Sequence, residues 1–156
     1  MKKRTSIKLL TLSVLLGCLS ACDGNEKAAI PHNTALTHYL QRDIQEDSFY
    51  FVMPDRFYNG NTENDLGAPV GSISHGGFEP TSKWAFHGGD MAGIEQKLDY
   101  LEGMGITAIW MTPILRNKAV QDDGIAHHGY WIVDFTEIDP HFGSNADLKQ
   151  LIDAAH

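Results

Sequence analysis

Apolar residues fall along this chain in blocks separated by long polar stretches. Ile7 to Leu19 is an apolar stretch preceded by Lys2, Lys3 and Arg4. From Asp23 to about Gln45 the chain is polar and aperiodic. Ser48-Phe49-Tyr50-Phe51-Val52-Met53 is then aromatic and β-branched, closed by Pro54. Such a continuous run predicts a strand buried on both faces. Ile106 to Met111 predicts a second, stopped by Thr112-Pro113. Between the two, Ile94, Leu98 and Leu101 lie at i, i+4 and i+7, which predicts a helix over Met91 to Glu102. Asp90 would cap it, and Gly103 and Gly105 would end it. Ser144-Asn145-Ala146-Asp147 has the form of a capping box, and opens a last helix carrying Leu148, Leu151, Ile152 and Ala155.

The order is therefore strand, long loop, helix, strand, long loop, helix. Alternating units of this kind imply an α/β fold with a parallel sheet covered by helices. The loops, Asp55 to about Gly89 and Ile114 to about Gly143, both follow strands. They collect at the C-terminal ends of the strands, where barrel enzymes keep their sites. Two strands cannot close a barrel, which takes eight units and about 250 residues. The last helix runs to His156 without a C-cap, so the expectation is the front of a longer protein.

Charge narrows the partners. The 156 residues hold 12 Lys and Arg against 20 Asp and Glu, a formal charge of −8. Four of the cations (Lys2, Lys3, Arg4, Lys8) precede every acidic residue, so without the first 21 residues 8 basic side chains would face 20 acidic ones, a charge of −12. That excludes the basic footprint of a nucleic-acid binder and adsorption by charge to anionic lipid. It suits a neutral ligand or a cation.

The apolar stretch near the start is too short for a stable membrane span. It ends in Leu19-Ser20-Ala21-Cys22, which resembles the bacterial lipobox. The resemblance implies cleavage before Cys22 and lipidation of Cys22. An ordinary secretory peptide or a plain membrane anchor is the alternative. The expected organisation is a lipoprotein signal peptide (1–21), a tether and lead-in (22–45) and a domain (46–156). The expected location is the cell membrane or outer membrane, on the periplasmic or cell-surface side. Asp23 resembles an inner-membrane retention signal of some bacteria. No Cys follows Cys22, so the exported part has no disulfide. Its loops need a core or a metal to hold them.

The first loop contains Asn59, Gly60, Asn61, Asn64 and Asp65, rich in oxygen donors. Such a set suits a hard cation such as Ca²⁺, which takes six to eight oxygens. Gly88-Gly89-Asp90 could add a carbonyl and a carboxylate. A loop of plain Asx turns would use the same residues, and the EF-hand pattern is missing. The second loop contains His127-His128-Gly129-Tyr130-Trp131. Hydrogen-bonding imidazoles beside aromatic faces are what a sugar needs, although simple loop packing fits too. Zinc is a weaker reading, since no His pair has a ligand spacing with Cys or Glu. Trp84, Phe86, Phe78, Tyr58 and Phe57 form either a sugar platform or the small core of their own loop. Asp122-Asp123 reads as a solvated loop, and Asp55-Arg56 as a structural pair.

Taken in order, these pieces resemble the alpha-amylase family (glycoside hydrolase family 13). The resemblance rests on Phe49 to Phe57, Asn59-Gly60-Asn61 with Asn64-Asp65, Phe86-His87-Gly88-Gly89-Asp90, and Leu98 to Pro113. It continues through His128-Gly129-Tyr130-Trp131 with Asp134, and Ile138-Asp139-Pro140 with Phe142-Gly143. It implies a (β/α)₈ TIM barrel, of which this chain covers about the first two βα units. It implies an α-glucan substrate (starch, maltooligosaccharide or cyclodextrin), with α-1,4 bonds cleaved with retention. By the same resemblance Asn59, Asn61, Asn64, Asp65, Gly88 and Asp90 hold Ca²⁺. Asn61 stands where several relatives have Asp, which would weaken the site. Tyr130 would stack on the glucose at the scissile bond and His128 would bond its hydroxyl, with Trp131 and Asp134 in support. Retention needs two carboxyl groups about 5–5.5 Å apart. No candidate pair occurs here, so no catalytic residue is expected in this chain and the piece alone should be inactive. The alternatives are a non-catalytic glucan-binding surface lipoprotein with an amylase-like fold, or an exported lipoprotein whose calcium is only structural.

Overall fold

The structure is a computed structural model that describes residues 41–156. Cys22, the segment 1–21 and most of the tether lie outside the described residues. The first apolar block forms β1 (Phe49–Val52) and the second forms β2 (Ala108–Met111). They pair in parallel, Phe49 beside Ala108 and Val52 beside Met111. Successive side chains on a strand point to opposite faces. Tyr50, Val52, Ile109 and Met111 pack into a core with Phe86, Met91 and Ile94. Phe51 and Trp110, neighbours in register, are each 64% exposed on the other face. The expectation of strands buried on both faces is thus corrected. Among the described residues only the helix-side face is covered, and two parallel strands leave the sheet open.

The lead-in is fastened to the sheet. Arg42 pairs with Asp47 at 2.6 Å and donates to the Thr107 carbonyl at 3.1 Å. The Thr107 hydroxyl donates to Asp47 (2.9 Å) and accepts from the Ser48 N–H (2.9 Å).

The expected single helix over Met91 to Glu102 is two, α1 (Met91–Glu95) and α2 (Leu98–Gly103). The break falls at Gln96-Lys97, where Lys97 has non-helical backbone angles (φ −112°, ψ 9°). Gln96 reaches sideways to the Gly60 carbonyl at 3.3 Å, which ties the break to the first loop. Periodicity shows which face is buried but does not register such a break, because Leu98 and Leu101 keep the same face across it.

The second loop is the larger correction. Residues 114–143 are not structureless. β3 (Leu115–Asn117) pairs antiparallel with β6 (Ile132–Ile138), and β4 (Val120–Gln121) with β5 (Gly124–Ile125) forms a hairpin between them. β6 reads Ile-Val-Asp-Phe-Thr-Glu-Ile, with polar groups on both faces, so it shows no period of two. Its β-branched and aromatic content was the signal available. α3 (Asn145–Ala155) begins with both halves of the capping box: the Asp147 N–H donates to the Ser144 hydroxyl oxygen, and the Ser144 N–H donates to the Asp147 carboxylate at 2.7 Å. Leu151 is buried, and Gln150 bridges to Glu95 of α1 at 2.9 Å. No helix among the described residues is long and apolar enough to cross a membrane.

Candidate functional site

The first loop is built around Asp90, which is completely buried. As the N-cap of α1 it accepts from the Gly93 N–H at 2.6 Å, the bond that opens the helix. The same oxygen accepts from the Gly60 N–H (3.1 Å), and the other from the Asn61 N–H (2.9 Å) and the Asn64 amide (3.1 Å). A carboxylate has about four lone-pair positions, so Asp90 is filled and holds loop to helix. The approach is close enough to demand glycine: a Cβ on Gly93 would meet the Tyr58 carbonyl oxygen at 1.8 Å.

Beside this hub, Asn59 donates its amide to Asp65 at 2.7 Å. Gly88, at φ +88°, runs against both side chains: a Cβ there would lie 2.3 Å from the Asn59 amide nitrogen and 2.6 Å from an Asp65 oxygen. The side-chain oxygens of Asn59 and Asn64 are buried and accept nothing from the protein. A buried acceptor left alone costs free energy. The structure therefore brings Asn59, Asn64, Asp65, Gly88 and Asp90 into one oxygen-rich cradle. Asn61 is placed differently. Its side chain is exposed and caps the Thr62–Asn64 turn by accepting from the Glu63 N–H at 3.0 Å, so it joins the cradle only through its backbone. Among the described residues no three His, Cys, Asp or Glu side chains cluster as ligands. A cation here would rely on amide and carbonyl oxygens, the donor set of calcium and not of zinc.

Asp55 and Arg56 do pair, at 2.8 Å. Asp55 is buried and accepts from the His87 N–H (2.8 Å) and Gly88 N–H (3.3 Å), which fixes the backbone entering the cradle. Burial pushes its carboxyl pKa up, against the opposing pull of those N–H groups and of Arg56.

The second candidate cluster lies between β5 and β6. Gly129, at φ +82°, packs on the Pro113 carbonyl, where a Cβ would come within 1.8 Å. That contact holds the turn carrying His128 and Tyr130. The Tyr130 N–H donates to His128 Nδ1 at 2.9 Å. Nδ1 is therefore the acceptor, and the neutral ring carries its proton on Nε2. Partial burial lowers the pKa of His128. Burial, then the Arg56 cation, lower that of His127. Tyr130 is 64% exposed, with its ring 5.8 Å from that of His128. Trp131 meets His128 edge-on at 5.0 Å and packs on Gly124. Asp134 makes no bond to this group. It accepts from Thr136 N–H (2.8 Å) and hydroxyl (2.6 Å) on its own strand.

The aromatic group of the first loop divides. Phe86 is a core residue with Phe57 and Phe78 packed against the core. Trp84 and Tyr58 are exposed, each beneath a lysine ammonium (Lys83 at 4.8 Å, Lys97 at 4.0 Å). Asp122 and Asp123 are exposed. Sequence reasoning missed a buried pair, Asp139 and His141. His141 Nδ1 lies 2.8 Å from Asp139 and Nε2 3.0 Å from the Gly76 carbonyl, while its ring stacks on Phe86 at 3.9 Å. Asp139 also accepts from the Asn117 N–H at 2.7 Å. The pair clips the second loop to the first, and the only signal for it was two titratable residues around Pro140.

Residues 51–156 match the family described as alpha amylase, catalytic domain. This chain belongs to the alpha-amylase family. It is 43% identical over 120 residues to an alpha-amylase of Streptomyces lividans, covering 74% of this chain and 13% of that protein. It is 34% identical over 137 residues to a cyclomaltodextrin glucanotransferase of Klebsiella oxytoca, covering 86% and 19% respectively. Among solved structures, a three-domain cyclomaltodextrin glucanotransferase superimposes with a TM-score of 0.62 at 40% identity, over 70% of this chain and 23% of that one. The acarbose complex of the Geobacillus thermoleovorans alpha-amylase gives 0.54 at 41% identity, over 74% and 21%. The chain thus spans less than a quarter of each relative's length.

Proposed function

We propose that this chain is the opening part of an α-glucan hydrolase. It contributes the first units of a (β/α)₈ barrel whose complete site cleaves α-1,4 bonds with retention. The observation that carries the reading is the pairing, within one family-matched segment, of a neutral donor ring with an exposed phenol. His128 Nδ1 is occupied by the Tyr130 N–H, so Nε2–H is left to donate to a sugar hydroxyl. Partial burial lowers the pKa of that ring, so it acts at neutral pH as an uncharged donor. The exposed face of Tyr130 covers the apolar side of the same sugar. In this reading Trp131 supports the pair from the core side.

The cradle fits Ca²⁺, with two buried amide oxygens unpartnered, the Asp65 carboxylate beside Asn59, and the Gly88 backbone close against both side chains. Asn59, Asn64, Asp65 and Gly88 would hold it, whereas Asp90, whose lone pairs are taken by four N–H donors, would hold the loop in place and Asn61 would shape the turn. When bound, the ion would supply positive charge that draws these oxygens together and stiffens the loop. Cys22 would carry the lipid of an exported, membrane-held lipoprotein.

The test is the full-length protein with starch and maltoheptaose. The expected result is cleavage whose first product is the α-anomer, seen by proton NMR. Binding without cleavage would favour the non-catalytic glucan-binding lipoprotein, and neither would overturn both readings. Removal of Ca²⁺ by a chelator should lower the melting temperature, because a ligand that binds only the folded state stabilises it by mass action. An unchanged melting temperature after dialysis against chelator would overturn the calcium assignment. Incorporation of labelled palmitate, lost in Cys22→Ser, tests the anchor.

A further inference from the structure

Trp84 belongs to none of the machinery described above, and it is held more rigidly than an exposed tryptophan needs to be. Its residue is 67% exposed, while the following Ala85 and Phe86 are each 1% exposed. Arg56 donates to the carbonyls on both sides of it, Lys83 at 3.1 Å and Ala85 at 2.8 Å. The Ala85 N–H closes a turn onto the Ser82 carbonyl at 3.1 Å. The Lys83 ammonium sits 4.8 Å from the centroid of the indole, on one face. The residue's large exposure leaves much of the indole open to a ligand. Arg56, which holds the Lys83 and Ala85 carbonyls, also places its cation near the His127 ring of the second loop and lowers that ring's pKa after burial has done so. His127 lies 5.4 Å from His128, and His128 lies 5.8 Å from Tyr130. Arg56 thus links the turn that carries Trp84 to a row of rings, His127, His128 and Tyr130, that ends at the proposed sugar contact in the second loop.

We propose that Trp84 is a second stacking surface for the same α-glucan chain. It seats a glucose ring remote from the one at Tyr130 and so sets a preference for long substrates. This rests on the α-glucan reading above. The chemistry points to a neutral polyhydroxylated chain. An open indole face takes the C–H side of a pyranose, and the neighbouring Lys83 ammonium is a hydrogen-bond donor for its hydroxyls. The backbone is already fixed by Arg56 and by the Ala85–Ser82 turn, so little order has to be imposed on binding.

The experiment compares Trp84→Ala and Trp84→Phe with the wild type in the full-length protein, on maltotriose and on amylose. Because an aromatic anchor dominates the contact it makes, Trp84→Ala should raise KM for amylose about tenfold with kcat unchanged. Maltotriose, too short to span both surfaces, should be cleaved within about twofold of wild type, since a contact never made costs nothing to remove. Trp84→Phe should recover most of the loss. An equal loss on both substrates, or none on either, would overturn the proposal. Should the wild type cleave no α-glucan, the functional reading fails separately. Native gels containing amylose then decide for Trp84: wild type retarded and Trp84→Ala running free supports it, and equal mobility overturns it.

Discussion

The two loops that follow the parallel strands solve opposite problems. The first, around Asp90, turns its polar groups inward: carboxylate and amides are buried, and glycines permit contacts that any Cβ would forbid. The second, around Tyr130, turns that phenol outward, with a backbone hydrogen bond and the Gly129–Pro113 contact holding the turn beneath it. A buried polar cluster is coupled to folding, because each member that loses its partner bears a desolvation cost. An exposed ring on a fixed turn is nearly uncoupled from folding and free to meet a ligand. Around Asp90 buried polar groups therefore serve stability, and around Tyr130 an exposed ring serves contact.

The sharpest break of that comparison is Asp90→Asn. The side chain keeps its size but loses the charge that four donors share, and it points an N–H group at other N–H groups. Charge-assisted bonds of this kind contribute about 1.5–3 kcal/mol each and do not add fully. We expect a loss of about 3 kcal/mol or more in urea unfolding, from the disrupted buried network. A loss under about 1 kcal/mol would mean that the first loop is no more tied to folding than an ordinary surface turn.

A smaller effect concerns pH. His127 and His128 both have lowered pKa values in the folded chain, chiefly through burial. The charged and titratable groups facing His127 are Arg56 and His128. Those facing His128 are His127 and Tyr130. Unfolded histidine titrates at about 6.5. Above that pH neither state takes up a proton and the histidines are neutral in both. As pH falls through 6.5 toward the lower folded values, the unfolded chain binds protons first, so stability declines over that window. The double variant His127→Gln with His128→Gln should flatten this part of the stability–pH curve. A curve of unchanged slope below pH 6.5 would show that burial of these rings is not coupled to folding.

Much of this was legible in the sequence, and the reason differs by element. β1 and β2 were visible because unbroken apolar runs have one common reading, and α3 because Ser144 and Asp147 satisfy a local rule within four residues. The oxygen cradle was visible as a composition, Asn and Asp beside glycine. Which oxygens stay unpartnered was not, since that depends on Asp90 filling itself from residues about 30 positions away. β6 escaped because Asp134, Thr136 and Glu137 break any period of two. The Asp139–His141 clip escaped because its partners, Asn117 and Gly76, lie 22 and 65 residues distant. Local rules reveal caps and runs, whereas long-range polar pairing appears only in the fold.

The smallest expected effect on stability sharpens the comparison from the other side. Tyr130 uses its backbone N–H to fix His128, and alanine retains that N–H. The phenol ring is 64% exposed, and its ring neighbour is His128 at 5.8 Å. Tyr130→Ala should therefore change unfolding free energy by no more than about 0.5 kcal/mol, while turnover of starch by the full-length protein falls. Trp131, one residue on, packs against the core and on Gly124, so Trp131→Ala should cost about 2 kcal/mol or more. Measured side by side in urea, the two neighbours should separate clearly. If Tyr130→Ala proves as costly as Trp131→Ala, the phenol is packing its own loop, and the division between a loop built for folding and a loop built for contact fails at the residue where it matters most.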